Sequence, residues 1–151
     1  MSERRIAVNV AQGITPERLR PVQSILKRAV DVALENENIE QASISVTLLS
    51  DREIAGMNKQ YLNHAGPTDV ISFPLFEQGE APVGDIYIGY EQAEKQAADL
   101  LIPFETELAR LAIHGTLHVL GYDHPDEGAR EGTEMWQRQE AILAQVVPSQ
   151  Q

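Results

Sequence analysis

The sequence has no cysteine among its 151 residues. Disulfides are therefore excluded, and so is any thiolate metal site, so a bound metal must be held by nitrogen and oxygen. The absence suits a reducing cytosol without requiring one. Aromatic residues make up only 5%, which predicts a core built mainly from aliphatic side chains. Basic residues are also scarce: 12 Lys and Arg stand against 23 Asp and Glu, for a formal charge of -11 and a pI near 4.7. That balance points away from a general nucleic-acid binder, which carries a basic face. No apolar run approaches the roughly 20 residues of a membrane-spanning helix. The opening MSERRIAVNV has basic residues but no apolar stretch of the secretory type behind them. The expectation is a soluble cytoplasmic protein with no membrane partner.

What is present fits one ordinary globular domain over residues 1–151, with 42% hydrophobic and 23% charged residues. RIAVNV reads as a first strand. TPERLRPVQSILKRAVDVALENE reads as a helix with Thr15 as N-cap, Pro16 at the first helical position and an apolar stripe of Leu19, Val22, Ile25, Leu26, Ala29, Val30 and Ala33. Arg18, Arg20, Lys27 and Arg28 on this stretch read as a solvated face rather than a binding patch. QASISVTLLS alternates as a second strand, and SDREIAGMNKQYL follows as a short helix capped by Ser50 or Asp51. Loop chemistry then runs to Pro67, with strands over about Asp69–Phe73 and in VGDIYIGY. Helices follow in EQAEKQAADLL, in FETELARLAIHGTLHVLG after Pro103, and from about Glu127 to Val146. The order is βαββαβ-like at the front and helical at the back, which predicts an α+β fold with a small mixed sheet packed against helices.

Three of the four histidines fall within HGTLHVLGYDH, in the spacing H-x-x-x-H-x-x-G-x-x-H. Phe104, Leu108 and Leu111 share one face, so the segment is helical well before His114. His114 and His118, four apart, then project from the same side. Gly121 can take the left-handed conformation that ends a helix and turn the chain so that His124 comes round as a third ligand. Three nitrogens leave one tetrahedral position open on a single zinc ion, the mark of a catalytic rather than a structural site. The frame is that of a zinc metalloprotease, but the residue after the first histidine is Gly115, not the glutamate that does the proton chemistry. Gly115 either leaves room beside the metal or lets the helix pack closely. Peptide hydrolysis is disfavoured either way. A phosphodiester differs, because RNA carries its own nucleophile in the 2′-hydroxyl and a dedicated carboxylate base matters less.

The motif resembles the signature of the YbeY family of bacterial metal-dependent endoribonucleases, and the resemblance extends to PTDVISFP (Pro67–Pro74) and VGDIYI (Val83–Ile88). It implies an α+β fold with a metal site in a cleft, zinc ligands at His114, His118 and His124, and action on ribosomal RNA and ribosomal particles, the small-subunit RNA in particular. The chain departs from the family pattern at YLNHAGPTDV: Leu62 stands where an arginine is expected, and Ala65 where an aspartate is. Leucine cannot pair with phosphate as arginine does, and Lys59 is the nearest candidate to stand in.

Other residues carry two readings each. Asp85 could take a proton or orient a ligand, or simply satisfy backbone donors at a strand end. Asp69 could line the cleft or cap its strand. Asp123 could orient a ligand histidine or sit exposed in a turn. Met135 and Trp136 are expected in the core, and His64 in a loop without a role. The leading expectation is a zinc-dependent single-strand endoribonuclease of ribosomal RNA maturation and ribosome quality control. The rivals are an assembly factor with a structural metal and, behind it, a zinc metalloprotease.

Overall fold

The computed structural model describes residues 3–10, 16–122 and 134–147, with the side chains of 16, 18 and 19 left out. Thr15, Leu19 as a packing residue, Asp123, His124 and the start of the last helix at Glu127 therefore lie outside the described residues. Four strands, β1 (Glu3–Val10), β2 (Gln41–Leu49), β3 (Val70–Pro74) and β4 (Val83–Gly89), form one sheet in the order β1-β2-β4-β3. The first three in that order are parallel and β3 joins the edge antiparallel to β4. The helices are α1 (Pro16–Asn36), α2 (Asp51–Leu62), α3 (Tyr90–Leu100), α4 (Phe104–Val119) and α5 (Glu134–Val146). The α+β fold with a mixed sheet is as expected. The front order is βαβαββ, which is the succession of elements read one by one from the sequence and not its βαββαβ shorthand.

The start of α2 is written locally. Ser50 Oγ accepts from the Glu53 backbone N–H at 3.2 Å, and Glu53 Oε1 accepts from the Ser50 N–H at 3.1 Å. This reciprocal capping box satisfies two donors that a helix N-terminus leaves open.

The parallel strands alternate in burial. Ile44, Val46 and Leu48 of β2 and Gly84, Ile86 and Ile88 of β4 are buried on one face, under α1 and α4. On the other face Ser43, Ser45, Thr47, Asp85 and Tyr87 are less covered, and α2 packs there through Ile54 against Leu49 and Ile71. Helix α4 is the centre of the molecule. Leu108, Ala109, Ala112, Ile113, Thr116 and Leu117 are fully buried, and α1, α3 and α5 all pack on it. Burial of this kind, at about 25 cal/mol per Å² of apolar surface, makes α4 the most firmly held element and a rigid support for anything it carries.

Gly115 is what lets α4 lie so close to the sheet. A Cβ there would sit 2.7 Å from Ile86 Cγ2. The glycine faces the sheet, so the reading in which it opens room beside a metal is corrected, and close packing is its role. At the far end of α4, Gly121 takes φ +106°. Its N–H donates to the His118 carbonyl, and the Tyr122 N–H to the Leu117 carbonyl, both at 3.0 Å. That pair of bonds is the Schellman arrangement, and it ends the helix within three residues of His118. Glu37 at the end of α1 then clamps this corner, accepting from Tyr122 Oη at 2.7 Å and from Arg138 Nη1 of α5 at 3.0 Å.

Candidate functional site

His114 and His118 lie one turn apart on α4, both half-buried, with ring centres 4.6 Å apart and planes at 77°. Two imidazoles sharing one tetrahedral ion through Zn–N bonds of about 2.0–2.1 Å have ring centres roughly 5 Å apart. The observed spacing suits a pair that closes on one cation. Among the described residues no third ligating side chain joins them. His124, the expected third ligand, lies outside those residues, as does Asp123.

His114 Nδ1 is 2.7 Å from Gln139 Oε1, across the interface between α4 and α5. Gln139 is 2% exposed, and its Nε2 donates to Glu140 Oε2 at 3.0 Å. Glu140 also accepts from two nitrogens of Arg110, Nε at 3.0 Å and Nη2 at 3.2 Å. Arg110 Nη1 pairs in turn with Glu107, one turn back on α4 and 3% exposed. A chain of polar contacts thus runs from Glu107 through Arg110, Glu140 and Gln139 to the ring of His114. Burial pushes the Glu107 carboxyl above its ordinary value, with Arg110 pulling the other way. Burial alone would lower Arg110, but the hydrogen bonds and charges of Glu140 and Glu107 outweigh it and hold the guanidinium up.

Glu107, Arg110 and Gln139 wall a cavity of about 330 Å³ that reaches His114. Asp69 at the start of β3, Gln96 and Leu100 of α3, Leu111 of α4 and Trp136 of α5 complete it. Asp69 Oδ2 accepts from Gln96 Nε2 at 3.1 Å, so of its two readings the cleft-lining one holds. Trp136, expected in the core, lines the cavity instead; Met135 beside it is core. Among the described residues the wall is acidic on balance, because its one cation, Arg110, is shared between two carboxylates.

The other candidates stand apart. Asp85 points to the sheet face opposite α4, where it accepts from Ser45 Oγ at 2.7 Å, and it is not brought to the histidines. Tyr87 lies beside it, its phenol held above the ordinary value by burial first and by the Asp85 charge second. Lys59 is exposed on the last turn of α2 and lines none of the cavity around His114. Leu62 ends the same helix at 45% exposure, and Ala65 and His64 lie in the exposed loop after it. Asn58, buried, donates to the Gly66 carbonyl at 2.9 Å and ties that loop down. Gln139 and Arg110 were missed from sequence. No short motif marks them, since the partners that give them their place, Glu140 for Arg110 and His114 for Gln139, are on another helix.

A mixed four-stranded sheet with a buried central helix that carries a histidine pair defines the class. The same fold occurs in the solution structure of a Thermotoga maritima protein, at a TM-score of 0.62 and 31% identity over 93% of this chain and 88% of that one. The family model for Endoribonuclease YbeY matches residues 10–147. Proteins named Endoribonuclease YbeY from Persephonella marina, Bacillus subtilis and Geobacillus kaustophilus are 38%, 36% and 40% identical. These matches cover 82%, 90% and 87% of this chain, and 83%, 90% and 88% of the relatives. The chain belongs to the YbeY endoribonuclease family. No described helix is long and apolar enough to cross a membrane.

Proposed function

We propose that this protein is a zinc-dependent single-strand endoribonuclease that matures ribosomal RNA in the cytoplasm, small-subunit RNA in particular, and serves ribosome quality control on ribosomal particles. The observation that carries the reading is the His114–His118 pair, spaced for one cation on the most buried helix of a chain that matches the family over residues 10–147. His114, His118 and His124 would hold one zinc ion. When bound, zinc supplies Lewis acidity and positive charge toward a nonbridging phosphate oxygen.

The chain's own residues do the rest. The α4 backbone fixes the bite of the two histidines, and the Gly121 turn redirects the chain after them. The cavity beside His114 offers Trp136 and Leu100 as apolar walls against which a base can rest. Gly115 offers no carboxylate and faces Ile86, so a metalloprotease would lack its base.

One observation favours the second reading, an assembly factor with a structural metal. Leu62 stands where the family pattern leads one to expect an arginine, which could pair with phosphate, and Arg110, the one cation among the described residues that line the cavity, is already paired with Glu107 and Glu140.

The deciding experiment is cleavage of single-stranded ribosomal RNA by the purified protein, before and after chelation and zinc add-back, with His118→Ala as control. Activity that follows zinc and vanishes in the variant supports the enzyme. A folded, zinc-loaded protein that cleaves nothing but associates with ribosomal particles supports the assembly factor.

A further inference from the structure

We infer that Gln139 is a positioning residue for His114: through the Arg110–Glu140 ion pair it fixes which ring nitrogen of His114 carries the proton, and so which one faces a metal. The inference rests on the metal-site reading above and deepens it.

The argument starts from donors and acceptors. Glu140 accepts from two nitrogens of Arg110, and a carboxylate so paired offers only acceptors. The group of Gln139 that faces Glu140 must therefore be its NH2, as the 3.0 Å contact from Nε2 has it. Its carbonyl oxygen is then the atom turned to His114, at 2.7 Å. A carbonyl oxygen can only accept, so Nδ1 of His114 must be the protonated nitrogen. The ring's lone pair is then on Nε2, the nitrogen that would face a cation.

Gln139 cannot rotate out of this arrangement cheaply. It is 2% exposed, and a flipped amide would set its oxygen against the Glu140 carboxylate, acceptor against acceptor. Partners of this kind hold a ligand histidine in one tautomer and one orientation, and losing them typically costs about 10–100-fold in metal affinity. Gln139 touches neither metal nor substrate. It acts through His114.

Two measurements test this. The first needs no variant: nitrogen-15 NMR of the His114 ring in the metal-free, full-length protein, at a pH where the ring is neutral. The Nδ1–H tautomer is expected, and a predominant Nε2–H tautomer overturns the inference. The second is zinc affinity by competition with a chromophoric chelator. Gln139→Met keeps the volume, removes the acceptor, and is expected to weaken zinc binding by about 10–100-fold. Glu140→Gln, which leaves the acceptor but frees the amide to flip, is expected to give a smaller loss with mixed tautomers. Unchanged zinc affinity in a folded Gln139→Met protein overturns the inference. If that variant does not fold, the tautomer in the natural sequence decides. A natural-sequence protein that binds no zinc refutes the metal reading instead, and the ring tautomer still judges the role of Gln139.

Discussion

Replacing Arg110 with Met puts a calculable load on the fold. The change keeps much of the aliphatic stem and removes the cation that Glu107 and Glu140 share. Glu107, 3% exposed, is then left as a buried carboxylate without its counter-charge. It can always escape by taking up a proton, so neutralisation caps its cost. From its ordinary value of 4.5, holding a carboxyl neutral costs about 1.36 kcal/mol per pH unit, or at most about 3.4 kcal/mol at pH 7 and about 1.4 at pH 5.5. The sign follows from linkage. Burial already raises the folded-state value of Glu107, so the folded protein binds the extra proton, and stability falls as pH rises from 4.5 through that raised value. Removing Arg110 raises the value further, so the gap between variant and natural protein must widen with pH. Urea unfolding at the two pH values reads it directly: a loss of about 2–3 kcal/mol at pH 7 that shrinks by more than half at pH 5.5 is expected. Adding Glu107→Gln to the variant should abolish the pH dependence. A loss that is the same at both pH values, or below about 1 kcal/mol at pH 7, would refute the claim that this ion pair compensates a buried charge.

Three further outcomes are expected. Leu62→Arg should raise single-turnover cleavage of single-stranded RNA several-fold at little cost in stability, since the position is exposed and an arginine there can pair with phosphate; unchanged turnover would mean that this end of α2 does not meet substrate. Gly115→Ala should destabilise the fold by about 1–3 kcal/mol in urea unfolding, because its Cβ meets Ile86; a neutral result would show that α4 can lift from the sheet. Ser50→Ala should cost about 0.5–2 kcal/mol through loss of the capping box, with the change read as a lower urea midpoint at an unchanged slope.

Contacts close in sequence were legible, and contacts across elements were not. The cap at Ser50, one of two candidates in the sequence, meets its partner three residues on, and the bite of His114 and His118 spans four, so both lie within reach of helix geometry. The Gly121 turn was legible for the same reason. Gly115 was ambiguous because its role depends on how α4 is rotated on the sheet, and that is set by Ile86 of β4, far away in the chain. Asp85 looked like a site residue for want of the same information. The strand alternation places it opposite Ile86, away from α4, and only the docking of that helix says which face matters. Trp136 and Gln139 sit three apart on α5, and no pattern in that helix distinguishes a core residue from one that walls a cavity or holds a histidine. Their meaning comes from α4, 25 residues back.

The acidic composition and the histidine pair, which pull apart as statements about RNA binding, agree once charge is counted at the cavity. Asp69 and Glu107 line it, and Arg110, its one cation among the described residues, is taken up by Glu107 and Glu140. Among the described residues nothing there offers net positive charge to a phosphate. A divalent cation on the histidines would supply it, so RNA affinity, and not only turnover, should depend on the metal. Filter binding of a 2′-O-methylated single strand, which cannot be cleaved through its own 2′-hydroxyl, separates the two effects. Chelation should weaken binding at fixed salt, and affinity in the zinc-loaded protein should fall steeply as salt rises, since phosphate neutralisation releases counterions. Equal affinity with and without zinc would overturn this account. It would move RNA binding to a basic surface elsewhere, where Arg20, Lys27 and Arg28 on the exposed side of α1 are the first residues to replace.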